Sequence, residues 1–77
     1  MSEFQPVRTV AELDLLDSNE IVEGYMAGLR GESEPGSDKS RSHWHGWRNG
    51  MVDSDRMEMD DAMWSLVEEV IHRQRAH

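Results

Sequence analysis

Residues 24–29 read GYMAGL and residues 46–51 read GWRNGM, one pattern of glycine, aromatic, two variable positions, glycine and apolar residue, repeated at an offset of 22. Gly24 matches Gly46, Tyr25 matches Trp47, Gly28 matches Gly50 and Leu29 matches Met51. On a helix, glycines four apart share one face. The two copies therefore predict a pair of helices whose backbones approach closely along that face, with each aromatic lying over the other helix. Four helical glycines cost about 4 kcal/mol relative to alanine, at about 1 kcal/mol each, and that is large for a chain of 77 residues. Close backbone approach is the compensation that fits the spacing.

The flanking sequence bounds these helices. Asp17, Ser18 and Asn19 offer an N-cap before EIVEGYMAGLRG, in which Ile21, Tyr25 and Leu29 recur every four residues and Gly31 ends the run. The stretch GESEPGS at 31–37 is turn chemistry centred on Pro35 and Gly36. Ser37 or Asp38 then caps a second helix through KSRSHWHGWRNGMV, with Trp44, Trp47 and Met51 on one side. Asn49-Gly50 is also a hairpin-turn dipeptide, but no strict apolar/polar alternation precedes it, so a helix is favoured over a strand.

Residues 1–8 carry no periodic signal and contain Pro6, which predicts a flexible terminus from which Phe4 can still dock. Thr9 and Glu12 have capping-box form ahead of a short helix bearing Val10, Leu13 and Leu16. Near the other end, capping residues at 53–55 precede a helix over 55–75. There Met59, Met63, Leu66 and Val70 form one row, and Trp64, Val67 and Ile71 form the next. Glu58, Asp60 and Asp61 suit its positive start, and His72, Arg73 and Arg75 its negative finish. The expectation is an all-α domain over 9–77, a small helical bundle. A glycine-rich two-helix hairpin, 19–52, is crossed by the C-terminal amphipathic helix.

Sixteen acidic against eight basic side chains give a net charge of −8, which argues against non-specific binding to nucleic acid or to an anionic membrane. Only residues 39–56 are cationic, with four bases against two acids. Without cysteine, neither a disulfide nor a thiolate metal cage can supplement the core. The first thirty residues lack a basic start followed by an apolar run, and no stretch reaches membrane-spanning length, so a cytoplasmic protein without membrane contact is expected. Paired glycines also join membrane helices, but Glu23 and Arg30 flank the first copy and Arg48 lies within the second, and these charges exclude that reading.

The densest group of functional side chains is Arg41, His43, Trp44, His45, Trp47 and Arg48. Basic groups interleaved with aromatics hold phosphate and stack on bases, so Arg41, His43, Trp44, His45 and Arg48 form the candidate RNA- or partner-binding set. The competing reading places Trp44 and Trp47 in the core. His43 and His45 diverge on a helix and lack the i, i+4 spacing of helical histidine ligands, and Asp53, Asp55, His72 and His77 are remote, so no metal or cofactor is expected. Met51, Met57, Met59 and Met63 read as core ahead of an adaptable binding surface. The acids Glu12, Asp14, Asp17, Glu20 and Glu23 form either a solvated face or a dock for a basic protein surface. Carboxylates abound, yet none accompanies a recognisable nucleophile, base or phosphate loop, so no enzyme is expected.

From EGYMAGLRG through RSHWHGWRNGM, 29 of the 77 residues, the sequence resembles the ribosome modulation factor family. The matching positions are Gly24, Tyr25, Ala27, Gly28 and Gly31, then Arg41, Ser42, Gly46, Trp47, Arg48 and Met51. The resemblance implies two helices joined by a loop, in a bacterial protein that binds the small ribosomal subunit when growth slows and helps convert ribosomes into inactive dimers. Arg41, His43, His45 and Arg48 would then face ribosomal RNA. This chain departs from the family in its acidity, in extensions at both ends, in Trp44 lying three rather than four residues before Trp47, and in a loop that keeps only the proline of a Cys-Pro-Tyr element. The residues leave two other readings open. One is an acidic module that sequesters a basic partner such as a transcription or conjugation regulator; the other is a homodimer formed through the C-terminal helix.

Overall fold

The computed structural model describes residues 4–75. Among them lie four helices and no strand: α1 Val10–Asp14, α2 Ser18–Leu29, α3 Arg41–Asp53 and α4 Asp61–Arg75. The fold is all-α. Residues 1–3 and 76–77, which include His77, lie outside the described part.

Each helix starts on a side-chain cap. Thr9 Oγ1 accepts from the Glu12 N–H at 3.1 Å, Asp17 Oδ1 from Glu20 at 3.1 Å, Ser40 Oγ from His43 at 3.2 Å and Asp60 Oδ1 from Met63 at 3.0 Å. Each bond satisfies one of the first-turn donors that a helix leaves open. Two expectations are corrected here. The cap of α3 is Ser40 rather than Ser37 or Asp38, and the last helix begins at Asp61, not at 55. Residues 53–55 close α3 instead of opening α4. The Arg56 N–H donates to Met51 O at 2.8 Å and the Asp55 N–H to Val52 O at 3.0 Å, with Asp55 left-handed at φ 61°. Gly31, at φ 74°, closes α2 in the same way, through Glu32 N–H to Ala27 O at 3.1 Å and Gly31 N–H to Gly28 O at 3.0 Å. These paired bonds are the signature of a helix C-terminus.

The glycine faces meet as the repeat predicts. A Cβ on Gly24 would overlap the His43 carbonyl oxygen and lie 2.9 Å from Trp47 N; a Cβ on Gly46 would overlap the Ile21 carbonyl oxygen and lie 2.9 Å from Tyr25 N. A Cβ on Gly28 would overlap Trp47 O and one on Gly50 would overlap Tyr25 O, and each would sit 2.9 Å from the other glycine's Cα. Adding 22 to the α2 residue of each contact, and subtracting 22 from the α3 residue, turns the first of each pair into the second. The repeat in sequence is thus a pseudo-twofold relation in space.

The direction of the helices corrects the hairpin. A hairpin sets neighbours antiparallel, whereas here low numbers meet low and high meet high. The Asp17 N–H donates to Ser42 Oγ at 2.8 Å and Ser40 Oγ to Glu20 Oε2 at 2.9 Å at one end, while Tyr25 Oη donates to Asp53 Oδ2 at 2.6 Å at the other. Helices α2 and α3 run parallel, and residues 30–40 carry the chain back to the starting end. A 12-residue helix is about 18 Å long and that connection spans up to about 36 Å extended, so the return is unstrained. The parallel glycine-seamed pair is the geometry of membrane helix dimers, built here in a chain with no helix among the described residues long and apolar enough to cross a membrane.

A second layer joins the first. Helix α4 packs on α1 and not across the glycine pair. Val7, Val10 and Leu66 form a small core with Leu13, Leu16 and Val70 around it, and the Val10 N–H donates to Glu69 Oε1 at 3.1 Å. Val7, at 2 % exposure, is the most deeply buried large side chain. Fraying is therefore corrected for residues 4–8. Residues 5–8 belong to no helix or strand, so a single valine inserts there without helical periodicity to announce it. The other core is Ala27, Trp44 and Trp47, with Phe4, Met51 and Met57 against it. Met63 is buried as well, so Met51, Met57 and Met63 serve the interior, whereas Met26 is exposed.

Candidate functional site

The basic aromatic segment lies on α3, and its chemistry points inward. Trp44, Trp47, His45 and Arg48 are all buried. Helix α3 is flanked by α2 on its glycine side and by the 4–8 segment and the 31–38 loop elsewhere, so most of its circumference is covered. Trp44 Nε1 donates to Glu34 Oε2 at 2.9 Å and Trp47 Nε1 to Glu32 O at 2.8 Å. The two indoles thereby hold the returning loop. Phe4 stacks on Trp44 at a centroid distance of 5.6 Å, and the Arg48 guanidinium lies 4.7 Å from the Trp44 ring centre, a cation–π pair.

Arg48 also forms an ion pair with Asp60, the residue that caps α4. Arg41 is half-buried. Its Nε donates to Gln5 O at 2.9 Å, and its Nη2 to Pro6 O at 3.2 Å and to Glu12 Oε2 at 2.8 Å. The two arginines therefore tie the glycine pair to the second layer, Arg41 through the N-terminal segment and α1, Arg48 through the start of α4. Arginine suits this work because its planar fork serves several acceptors at once. The Arg41 hydrogen bond holds the Glu12 carboxyl below its ordinary value of 4.5, and burial lowers the pKa of Arg48.

Of the candidate RNA- or partner-binding set, Arg41, Trp44, His45 and Arg48 lie together on α3, and carboxylates and carbonyls of this same chain accept from Arg41, Trp44 and Arg48. His43 alone of the set is half-exposed without an inward ion pair among the described contacts. Sequence reasoning missed Glu34 and Asp60, the acids that receive Trp44 and Arg48. Asp60 does carry a legible signal, since it stands three residues before Met63 at the cap position. Glu34, within a loop of turn residues, carries none.

Among the described residues His45 is the one buried titratable ring. Its Nε2 lies 3.1 Å from Asn49 Nδ2, which also donates to His45 O at 3.0 Å. Burial first, then the charges of Arg48 and Arg41, push its pKa below the ordinary 6.5. The folded state therefore binds fewer protons than the unfolded one in that range, and stability is present above pH 6.5 and lost as pH falls below it. Glu12 adds to the loss as pH falls through and below 4.5. Urea midpoints measured across this range should decline on acidification, and His45→Gln should flatten the upper part of the decline while leaving the part due to Glu12.

Among the described residues no group of three or more histidines, aspartates or glutamates is placed to hold a metal ion. A polar cavity of about 200 Å³ lies beneath the returning loop, walled by Glu32, Glu34, Asp38, Lys39 and His43 over Trp47. No family model matches the chain, and no curated protein and no solved structure matches it.

Proposed function

We propose that this protein is a non-enzymatic interaction module whose acidic exterior binds a basic protein surface. One observation carries the reading: the two arginines at the centre of the cationic segment are engaged internally with Glu12 and Asp60, so the −8 charge of the chain is not offset by a cationic face there. Asp14, Asp17, Glu23, Asp38, Asp53, Asp55, Glu58, Asp61 and Glu68 are all exposed. A surface of this sign accelerates encounter with a basic partner and repels phosphate. The test is capture of partners from lysate at about 0.15 M salt after nuclease treatment. A retained basic protein, released by higher salt, is the expected result, and retention that vanishes with the RNA would contradict it.

A second reading, regulation of the ribosome in the manner of ribosome modulation factor, is supported by the glycine seam. Gly24, Gly28, Gly46 and Trp47, which carry the resemblance, are the positions that hold α2 against α3. Salt-dependent co-sedimentation with ribosomal subunits tests it. On this account any association runs through ribosomal proteins, so co-sedimentation should survive His43→Ala, the half-exposed member of the RNA-facing set, and weaken when Asp14, Asp17 and Glu23 are replaced by lysine.

A further inference from the structure

Helix α4 has two apolar rows and buries only one. Ala62, Met63 and Leu66 are buried and Val70 packs on the α1 core, whereas Trp64, Val67 and Ile71 are 53 %, 38 % and 43 % exposed. These three follow one another at i, i+3 and i+7, a single stripe about 10 Å long on the outer side of the helix. Asp61 and Glu68, both exposed, stand three residues before and four after Trp64, so they border the stripe along one edge. Beside its other edge, Val70 and Gln74 lead with Val10 and Arg73 into an open groove of about 270 Å³.

We infer that the Trp64, Val67 and Ile71 stripe is the docking face of the module, and that its occupant is a basic amphipathic helix of a partner protein. This deepens the reading proposed above and rests on it. The stripe presents anchors at the spacing with which helices pair, and Trp64 is of the residue type that dominates binding energy at interfaces. The acidic border selects the partner's sign: lysine or arginine beside the partner's apolar seam meets Asp61 and Glu68. A second copy of this chain is the poorer occupant. It brings the same −8 charge and sets one acidic border against another, and like charges in register disfavour association.

The test uses the intact chain and a synthetic helical peptide of leucine and lysine with leucines at i, i+3, i+4 and i+7. A scrambled peptide of the same composition serves as control. Trp44 and Trp47 are buried while Trp64 is exposed, so a blue shift of tryptophan emission reports on the stripe. The expected result is binding of the patterned peptide with a blue shift, at least about tenfold weaker binding of the scrambled one, and a similar loss in Val67→Ser with Ile71→Ser, variants whose exposure leaves the helical circular dichroism unchanged. Equal binding of both peptides, or binding indifferent to the double variant, overturns the docking face while leaving an acidic binding module intact. Binding of neither peptide removes the acidic reading as well. Concentration-dependent dimers in ultracentrifugation that the double variant abolishes would show that the occupant is a second copy.

Discussion

Gly46→Ala should destabilise the protein by about 3 kcal/mol, although alanine is the better helix former by about 1 kcal/mol. The melting temperature of a domain of this size should fall by roughly 10–20 °C in a thermal scan followed by circular dichroism. The new methyl group would overlap the Ile21 carbonyl oxygen and lie 2.9 Å from Tyr25 N. Both are backbone atoms, which no rotamer change can move, so relief requires the helices to separate and the Ala27, Trp44 and Trp47 core between them to open. The pseudo-twofold relation sharpens the expectation. Gly24→Ala meets His43 O and Trp47 N with the same geometry and should match Gly46→Ala to within about 0.5 kcal/mol. Gly36→Ala is the contrast, since its Cβ would meet only a side-chain oxygen of Asp38 at 3.6 Å, and it should leave stability within about 0.5 kcal/mol of the parent.

Asp60→Ala should cost about 3 kcal/mol or more in urea denaturation, for two separable reasons. It removes the cap of α4, worth about 1 kcal/mol. It also leaves Arg48, whose side chain is 8 % exposed, without its carboxylate, and orphaning a buried charge is among the largest single-residue effects. Asp60 is itself 45 % exposed, so water reaches the vacated site and the lower end of that range applies. Asp60→Ser keeps a capping oxygen and should recover about 1 kcal/mol of the loss. Arg48→Met should be milder than Asp60→Ala, because it removes the charge together with its need for a partner, losing only the ion pair and the contact with Trp44.

The helical class, the glycine contact face and a cap for α2 within residues 17–19 were all legible in the sequence, because they are local. A cap and its third residue, or two glycines four apart, declare themselves within one helical turn. Helix direction was not legible: a repeat of Gly-x-x-x-Gly satisfies itself in parallel or antiparallel order. What decided it was the connection from 30 to 40, which the two indoles and Glu34 hold back along the pair. Val7 escaped because a single buried residue outside any helix has no period. The basic aromatic segment was recognised as the densest chemistry of the chain, yet its orientation depends on Glu12 and Asp60, acids 29 and 12 residues away from their arginines. Pairings at that separation leave no mark in the spacing of either partner. Helix α4 was read as fully amphipathic, but α1 and the residues beside it cover it with Val7, Val10, Leu13 and Leu16 alone, and the narrow support leaves the Trp64 row outside.

If the arginines of α3 serve the fold, the exterior recognises basic protein and not RNA. The most direct measurement separates a small ribosomal subunit into its RNA and its proteins and titrates each, at about 0.15 M salt, into the fluorescently labelled chain while anisotropy is recorded. Saturable binding to the basic protein fraction, with none to the RNA, is the predicted result. Saturable binding to the RNA that falls as salt rises, and that is lost in Arg41→Ala, would contradict it.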